Sequence, residues 1–236
     1  MGWLVDAIAW LLDPAHWRGP TGVPTLLVEH FGLTAASLGL ACLLGLPLAV
    51  WLGHTGRGGV LAIQLSNAGR AVPTLALLVI LVIADEPFGL NTTSALVAFT
   101  AFAVPPIVTN TYVGMRDVDR DAVDAARGMG MTGGQVLWKV ELPLATPLLM
   151  TGVRLAAVQL FATVSIAAIA AFGGLGRIVT GGVANRDVGQ VVAGAILIAV
   201  LSLVVEVVFE WVGRRVDPRA RIERATRQRE HLVTRS

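Results

Sequence analysis

The densest chemistry in the sequence lies in one segment, Asp124 to Pro143, which reads DAARGMGMTGGQVLWKVELP. It sets Asp124, Arg127, Lys139 and Glu141 among small residues and the methionines Met129 and Met131. Small residues permit close approach, methionine adapts its shape, and charged edges fix register, so the pattern suits docking of a partner surface. Nothing elsewhere suits catalysis. Histidines stand at 16, 30, 54 and 231 without metal-ligand spacing and read as interfacial or tail residues. Cys42 is the single cysteine, which excludes an intrachain disulfide and a cysteine-based metal site. Ser165 has no histidine within any apolar span, and no Gly-x-x-x-x-Gly-Lys phosphate loop occurs, so the chain cannot bind ATP in the usual way. The expectation is a non-enzyme with no cofactor and no metal.

The elements that must position this segment are apolar. The chain is 55% hydrophobic and 14% charged, against about 25% charged in a soluble domain. The uncharged runs Phe31 to Gly53, Leu90 to Met115 and Leu155 to Gly176 each reach the ~20 residues that cross a bilayer as helix. Five spans fit, at roughly 31–53, 58–84, 90–115, 146–172 and 188–211, and lipid tolerates them only as helices. The predicted fold is an all-α, polytopic membrane helical bundle. Residues 31–213 form the transmembrane domain, 1–30 an N-terminal extracytoplasmic or interfacial segment, and 214–236 an arginine-rich tail. In the first segment Trp3, Trp10 and Trp17 recur every seven residues, on nearly one side of an interfacial helix that Asp13-Pro14 would end. That stretch lacks the basic start of a signal peptide.

Orientation follows the basic residues. With the 116–143 loop in the cytoplasm, that side collects Arg57, Arg116, Arg120, Arg127, Lys139 and eight tail arginines, thirteen of the eighteen basic residues. The positive-inside rule then places the N-terminus outside and the C-terminus in the cytoplasm. The tail reads as a segment lying on anionic lipid or in solvent rather than on nucleic acid.

The segment itself reads as two helices around a turn. Asp117, Asp119, Asp121 and Asp124 favour a helix start near Asp119, with Val123, Ala126 and Ala122 on one face. Gly128-Met129-Gly130 should close it. Thr132 with Gln135 forms a capping-box pattern ahead of Val136, Leu137 and Val140, and Pro143 should stop that second helix. From these features alone an amphipathic loop resting on the membrane is as good a reading as a docking surface.

The spacing Asp124-Ala125-Ala126, three residues, Gly130, nine residues, Val140-x-Leu142-Pro143 resembles the EAA motif of permease subunits from bacterial ABC importers, with Asp for Glu and Val for Ile. The stretches RAVPTLALLVIL (70–81), NTYVGMRDVD (110–119), AARGMGMT (125–132) and FGGLGRIVTGG (172–182) are similar to the glycine betaine, carnitine and choline group of those permeases. The resemblance covers about residues 31–213 and implies a type I importer permease fold. It implies that Asp124, Ala125, Ala126, Arg127, Gly128, Met129, Gly130, Met131 and Thr132 couple to a cytoplasmic ATP-binding subunit, which holds the ATP. The other implied partners are an extracytoplasmic solute-binding protein and a second permease, identical or related.

Pathway candidates are Arg70, Pro73, Thr74, Asn110, Tyr112, Gln159, Thr163 and Ser165. Arg70 falls about 18 Å into the second span at ~1.5 Å per residue, where it costs a few kcal/mol unless paired or hydrated. It reads either as pathway lining or as a structural pair, and the polar residues around it with Pro73 suggest a broken span. Gln159, Thr163 and Ser165 read equally as pathway or as bundle packing, and Arg154 as structural. Quaternary ammonium is usually gripped by an aromatic cage, and Tyr112 is the single tyrosine, so tight binding belongs to the separate binding protein. The alternatives are a permease for another small solute, such as an amino acid, and a non-transport membrane anchor.

Overall fold

The computed structural model describes residues 2–84, 86–170 and 172–216, and no strand occurs among them. Helix α1 (Gly2–Leu12) stops where the Asp13 carboxylate accepts from the Ala15 N–H at 2.9 Å and Pro14 opens a 3-10 turn. The expected tryptophan face is corrected here. Trp17 lies in that turn beyond α1, and Trp10 stacks on His16 with ring centroids 4.1 Å apart. Trp3 and Trp17 remain exposed.

Helix α2 (Val23–Thr55) starts at Val23, not at 31, because Gly22 supplies an extended N-cap and Pro24 suits the first turn. The uncharged-run criterion stopped at Glu29 and His30, which the helix accommodates. Gly56, at φ 68°, closes it by donating its N–H to the Leu52 carbonyl. The span expected at 58–84 is broken, as Pro73 suggests, into α3 (Gly59–Ala71) and α4 (Thr74–Ile83). The cause is local: Pro73 has no N–H to give, and Val72 before it is extended at ψ 120°. Among the described residues four helices are long and apolar enough to cross a membrane, and α3 and α4 are each shorter than that.

Helix α5 (Thr92–Arg116) runs through Pro105 and Pro106. In its apolar stretch 56% of the residues are buried, against 17% in the last helix, so α5 is the centre of the bundle. It lies parallel to α2, whose buried Ser37, Ala41, Gly45, Ala49 and Gly53 recur every fourth residue. A methyl group on Gly45 would meet Ile107 at 3.3 Å, and one on Gly53 would collide with the Met115 side chain. Small residues here let two backbones approach where lipid offers no hydrophobic drive.

Beyond α5 come α6 (Arg120–Gly128) and the single turn α7 (Gly133–Val136). Pro143 does not stop the second helix, contrary to expectation. Leu137–Glu141 widens into a π turn, in which the Leu142 N–H donates to the Leu137 carbonyl, and α8 (Leu142–Val164) continues with Pro143 in its first turn. The wider turn removes the demand for a proline N–H. Helix α8 runs antiparallel to α5. Gly152 would place a methyl 2.9 Å from Asn110 Cβ, and Gly114 would place one 2.8 Å from Leu148 Cβ.

After a 3-10 turn (Ser165–Ala170) come α9 (Gly176–Asn185) and the peripheral α10 (Val188–Val216). Arg154 on α8 pairs with Glu206 on α10 at 3.5 Å, the structural role expected of it with a partner identified. Trp51 and Trp211 are exposed near the ends of α2 and α10, and Arg215 lies over the Trp211 ring at 4.5 Å. The tail beyond residue 216, with His231, lies outside the described residues.

Candidate functional site

Helix α6 is built by its cap. The Asp119 carboxylate accepts from the Asp121 N–H at 2.9 Å, and the helix ends at Gly128 with Gly130 at φ 84°. The Met131 N–H donates back to the Ala126 carbonyl at 3.2 Å. Thr132 and Gln135 then exchange the two bonds of a capping box. Val123 and Ala126 are buried against Met115, Val118, Val136 and Ala145, which fastens α6 to the ends of α5 and α8.

The opposite face is open. Asp124, Ala125, Arg127, Gly128, Met129 and Gly130 are exposed, Met129 at 76%, and Asp124 and Arg127 form a loose pair at 4.0 Å. Nothing stands within 4 Å of a methyl placed on Gly128 or Gly130, so this surface carries no packing duty within the chain. Of the nine residues expected to couple, Ala126 is an anchor beneath the surface, Met131 is half-buried, and the Thr132 hydroxyl is spent on the cap. Trp138, 69% exposed, and Lys139 on the π turn extend the open side.

Two clusters were not legible in the sequence. At the C-terminal end of α2, His54 Nδ1 meets Glu141 Oε2 of the π turn at 2.5 Å, and the Glu141 side chain is 4% exposed. The α6 loop is thereby tied to α2 as well as to α8. At the far end of the bundle, His30 is buried, with Nε2 on the Phe161 carbonyl at 2.8 Å and Nδ1 accepting from the Leu175 N–H at 3.3 Å. Those partners fix the neutral tautomer with its proton on Nε2. Beside it the Glu29 carboxylate accepts from the Gly174 N–H at 2.8 Å. The glycines of the 172–176 loop follow from this contact, because a methyl on Gly173 would collide with the Glu29 carboxylate and Gly174 takes φ 93° against His30. The expectation that the histidines are interfacial or tail residues is corrected for both His30 and His54. Each contact spans 87 or more residues, so no local pattern announces it.

The pathway candidates do not converge on one point. Pro73 caps α4 and Thr74 begins it. Asn110 Nδ2 donates to the Pro106 carbonyl at 2.8 Å, and a methyl on Gly59 would collide with the Tyr112 ring. Thr163 bonds the Gln159 carbonyl at 2.7 Å and Ser165 the Ala162 carbonyl at 2.7 Å, both within their own helical segment. The placement of the Arg70 side chain lies outside the described residues. Thr109 and Thr111, flanking Asn110, carry buried hydroxyls with no hydrogen-bond partner among the described residues.

A multi-pass helical bundle with an anchored, outward-turned amphipathic segment at one end defines a membrane permease class, and comparison with known proteins gives it a family. The chain belongs to the binding-protein-dependent transport system inner membrane component family, whose sequence model matches residues 42–222. It is 33% identical to the carnitine transport permease protein OpuCD of Listeria monocytogenes, over 91% of this chain and 95% of that one. It is 32% identical to the glycine betaine/proline betaine transport system permease protein ProW of Escherichia coli, over 86% of this chain and 56% of that longer one. The Bacillus subtilis glycine betaine/carnitine/choline permease protein OpuCB is 28% identical over 81% of this chain and 87% of its own. Among solved structures, an inward-facing MetNI methionine ABC transporter matches with a TM-score of 0.73 at 23% identity, covering 86% of this chain and 98% of that one, a likeness of fold alone.

Proposed function

We propose that this chain is the membrane-spanning permease of an ATP-driven importer for compatible solutes such as glycine betaine, carnitine or choline. The observation that carries the reading is the exposed Asp124–Gly130 face of α6, held by buried Val123 and Ala126, with open space beside Gly128 and Gly130. A cytoplasmic ATP-binding subunit docks there and binds the ATP. Its closure moves α6, and the buried links of α6 to α2, α5 and α8 carry that motion into the bundle, shifting it between inward-open and outward-open states. The N-terminus and the 172–187 region face outward, where a solute-binding protein delivers its cargo, and the C-terminal tail faces the cytoplasm against lipid. A second permease, identical or related, completes the pathway.

The solute class is supported by the names of the relatives at 32–33% identity. The second reading, a permease for an amino acid, has behind it structural matches that include a methionine and an amino acid ABC transporter, at 23% and 17% identity, a likeness of fold alone. Proteoliposomes holding the permease, its ATP-binding subunit and its binding protein separate the readings. ATP-dependent uptake of labelled betaine, carnitine or choline supports the first. Uptake of an amino acid instead supports the second, and no uptake of any solute points to an anchor.

A further inference from the structure

At the end of the bundle opposite α6, a cleft of about 320 Å³ opens between the starts of α2 and α5 and the 172–177 loop. Its lining combines three groups of unlike chemistry, the Glu29 carboxylate, the Arg177 guanidinium and the Phe172 ring, with small residues such as Gly32 and Ala36 between them. Glu29 is fixed at the rim by the Gly174 N–H, which occupies one of its two oxygens. Arg177 is exposed and forms no ion pair among the described residues. A larger neighbouring cleft of about 740 Å³ shares Arg177 and adds Arg18 and His16, but no carboxylate lines it. A third cleft, of about 240 Å³ between α8 and α10, also has both signs of charge and an aromatic ring, but its Arg154 and Arg214 are already paired with Glu206 and Glu210.

We propose that the Glu29–Phe172–Arg177 cleft is a low-affinity station for a zwitterion bearing a quaternary ammonium and a carboxylate, occupied as solute passes from the outer face into the bundle. The proposal rests on the compatible-solute reading above. A quaternary ammonium has no N–H to donate, so it is held by charge and by the face of a ring, which Glu29 and Phe172 supply. The solute carboxylate needs a charge-assisted donor, which the exposed Arg177 supplies chiefly as a positive charge. Exposure keeps each contact weak, which suits a group that must hand its ligand on.

The test uses the whole importer in proteoliposomes, with solute-saturated binding protein and initial rates of ATP-driven uptake of labelled glycine betaine and of choline, which lacks the carboxylate. Arg177→Gln should lower the betaine rate about five-fold, the scale of one partly exposed charged contact, and leave the choline rate unchanged. Arg177→Lys should keep most of the betaine rate. Glu29→Gln, which retains an acceptor for the Gly174 N–H, should lower both rates. Equal loss of both solutes in Arg177→Gln, no loss of either, or a loss of betaine uptake as deep in Arg177→Lys would overturn the station. Where betaine alone is carried, the contrast of Gln with Lys decides. A wild-type importer that carries choline but not betaine also overturns it. One that carries neither solute contradicts the compatible-solute reading itself, a failure visible before any variant is measured.

Discussion

His54 and Glu141, 87 residues apart in sequence, share a 2.5 Å contact that joins the C-terminal end of α2 to the π turn behind the α6 loop. With its side chain 4% exposed, Glu141 has few routes to water, so the imidazole is its main compensation. His54→Ala should lower stability by about 1.5–3 kcal/mol, the usual worth of a hydrogen bond to a charged group, while His54→Gln keeps a donor and should lose less. Thermal unfolding of the purified protein in detergent reads the difference. Equal stability of His54→Ala and wild type would refute the link.

His30 ties three segments by two hydrogen bonds, one to the Phe161 carbonyl and one from the Leu175 N–H. His30→Leu fills similar volume but leaves the Leu175 N–H without its partner, at a cost of about 1–3 kcal/mol. The expected result is faster proteolysis at the 172–176 loop with the rest of the bundle resistant. Unchanged cleavage there would mean that the loop is held by other contacts.

Gly152 and Gly39 make a matched pair of glycines in long helices. A methyl on Gly152 would crowd Asn110 and the Pro106 carbonyl, whereas nothing lies within 4 Å of one on Gly39. Gly152→Val should destabilise by about 1–3 kcal/mol through overpacking of the α5–α8 crossing. Gly39→Ala should be neutral or stabilise by up to about 1 kcal/mol, since alanine is the better helix former. Melting temperatures of the two variants check the contrast, which fails if both behave alike.

Gly130 closes α6 in the left-handed region and faces open space. Gly130→Asp adds a charge to the proposed docking surface and a local backbone strain of about 1–2 kcal/mol, without touching the apolar spans. Membrane levels should match wild type while solute uptake is lost. Normal uptake by a well-expressed Gly130→Asp protein would rule out this surface as the coupling site.

How much of this was readable in advance depends on the distance between partners. The α6 loop was legible because its parts are local: Asp119 caps two residues on, Thr132 and Gln135 lie three apart, and glycines mark the close. The break at Pro73 was legible for the same reason. Pro143 was misread because a proline ends an ordinary α-helix, and only the path of the chain shows the π turn that admits it. The Ser37–Ala41–Gly45–Ala49–Gly53 stripe was present at a spacing of four, but counts of apolar residues do not register small ones. His30 and His54 gave no sign, since their partners come from the opposite half of the chain.

The central claim is that this chain carries solute when a partner on α6 hydrolyses ATP. It is tested most directly in proteoliposomes containing the permease, its ATP-binding subunit and its binding protein, by recording ATP hydrolysis and labelled betaine accumulation together. The expected result is accumulation that requires ATP, with both activities lost in a Met129→Asp variant whose α6 surface carries a new charge. Accumulation without ATP, or full coupled transport by the Met129→Asp importer, would contradict it.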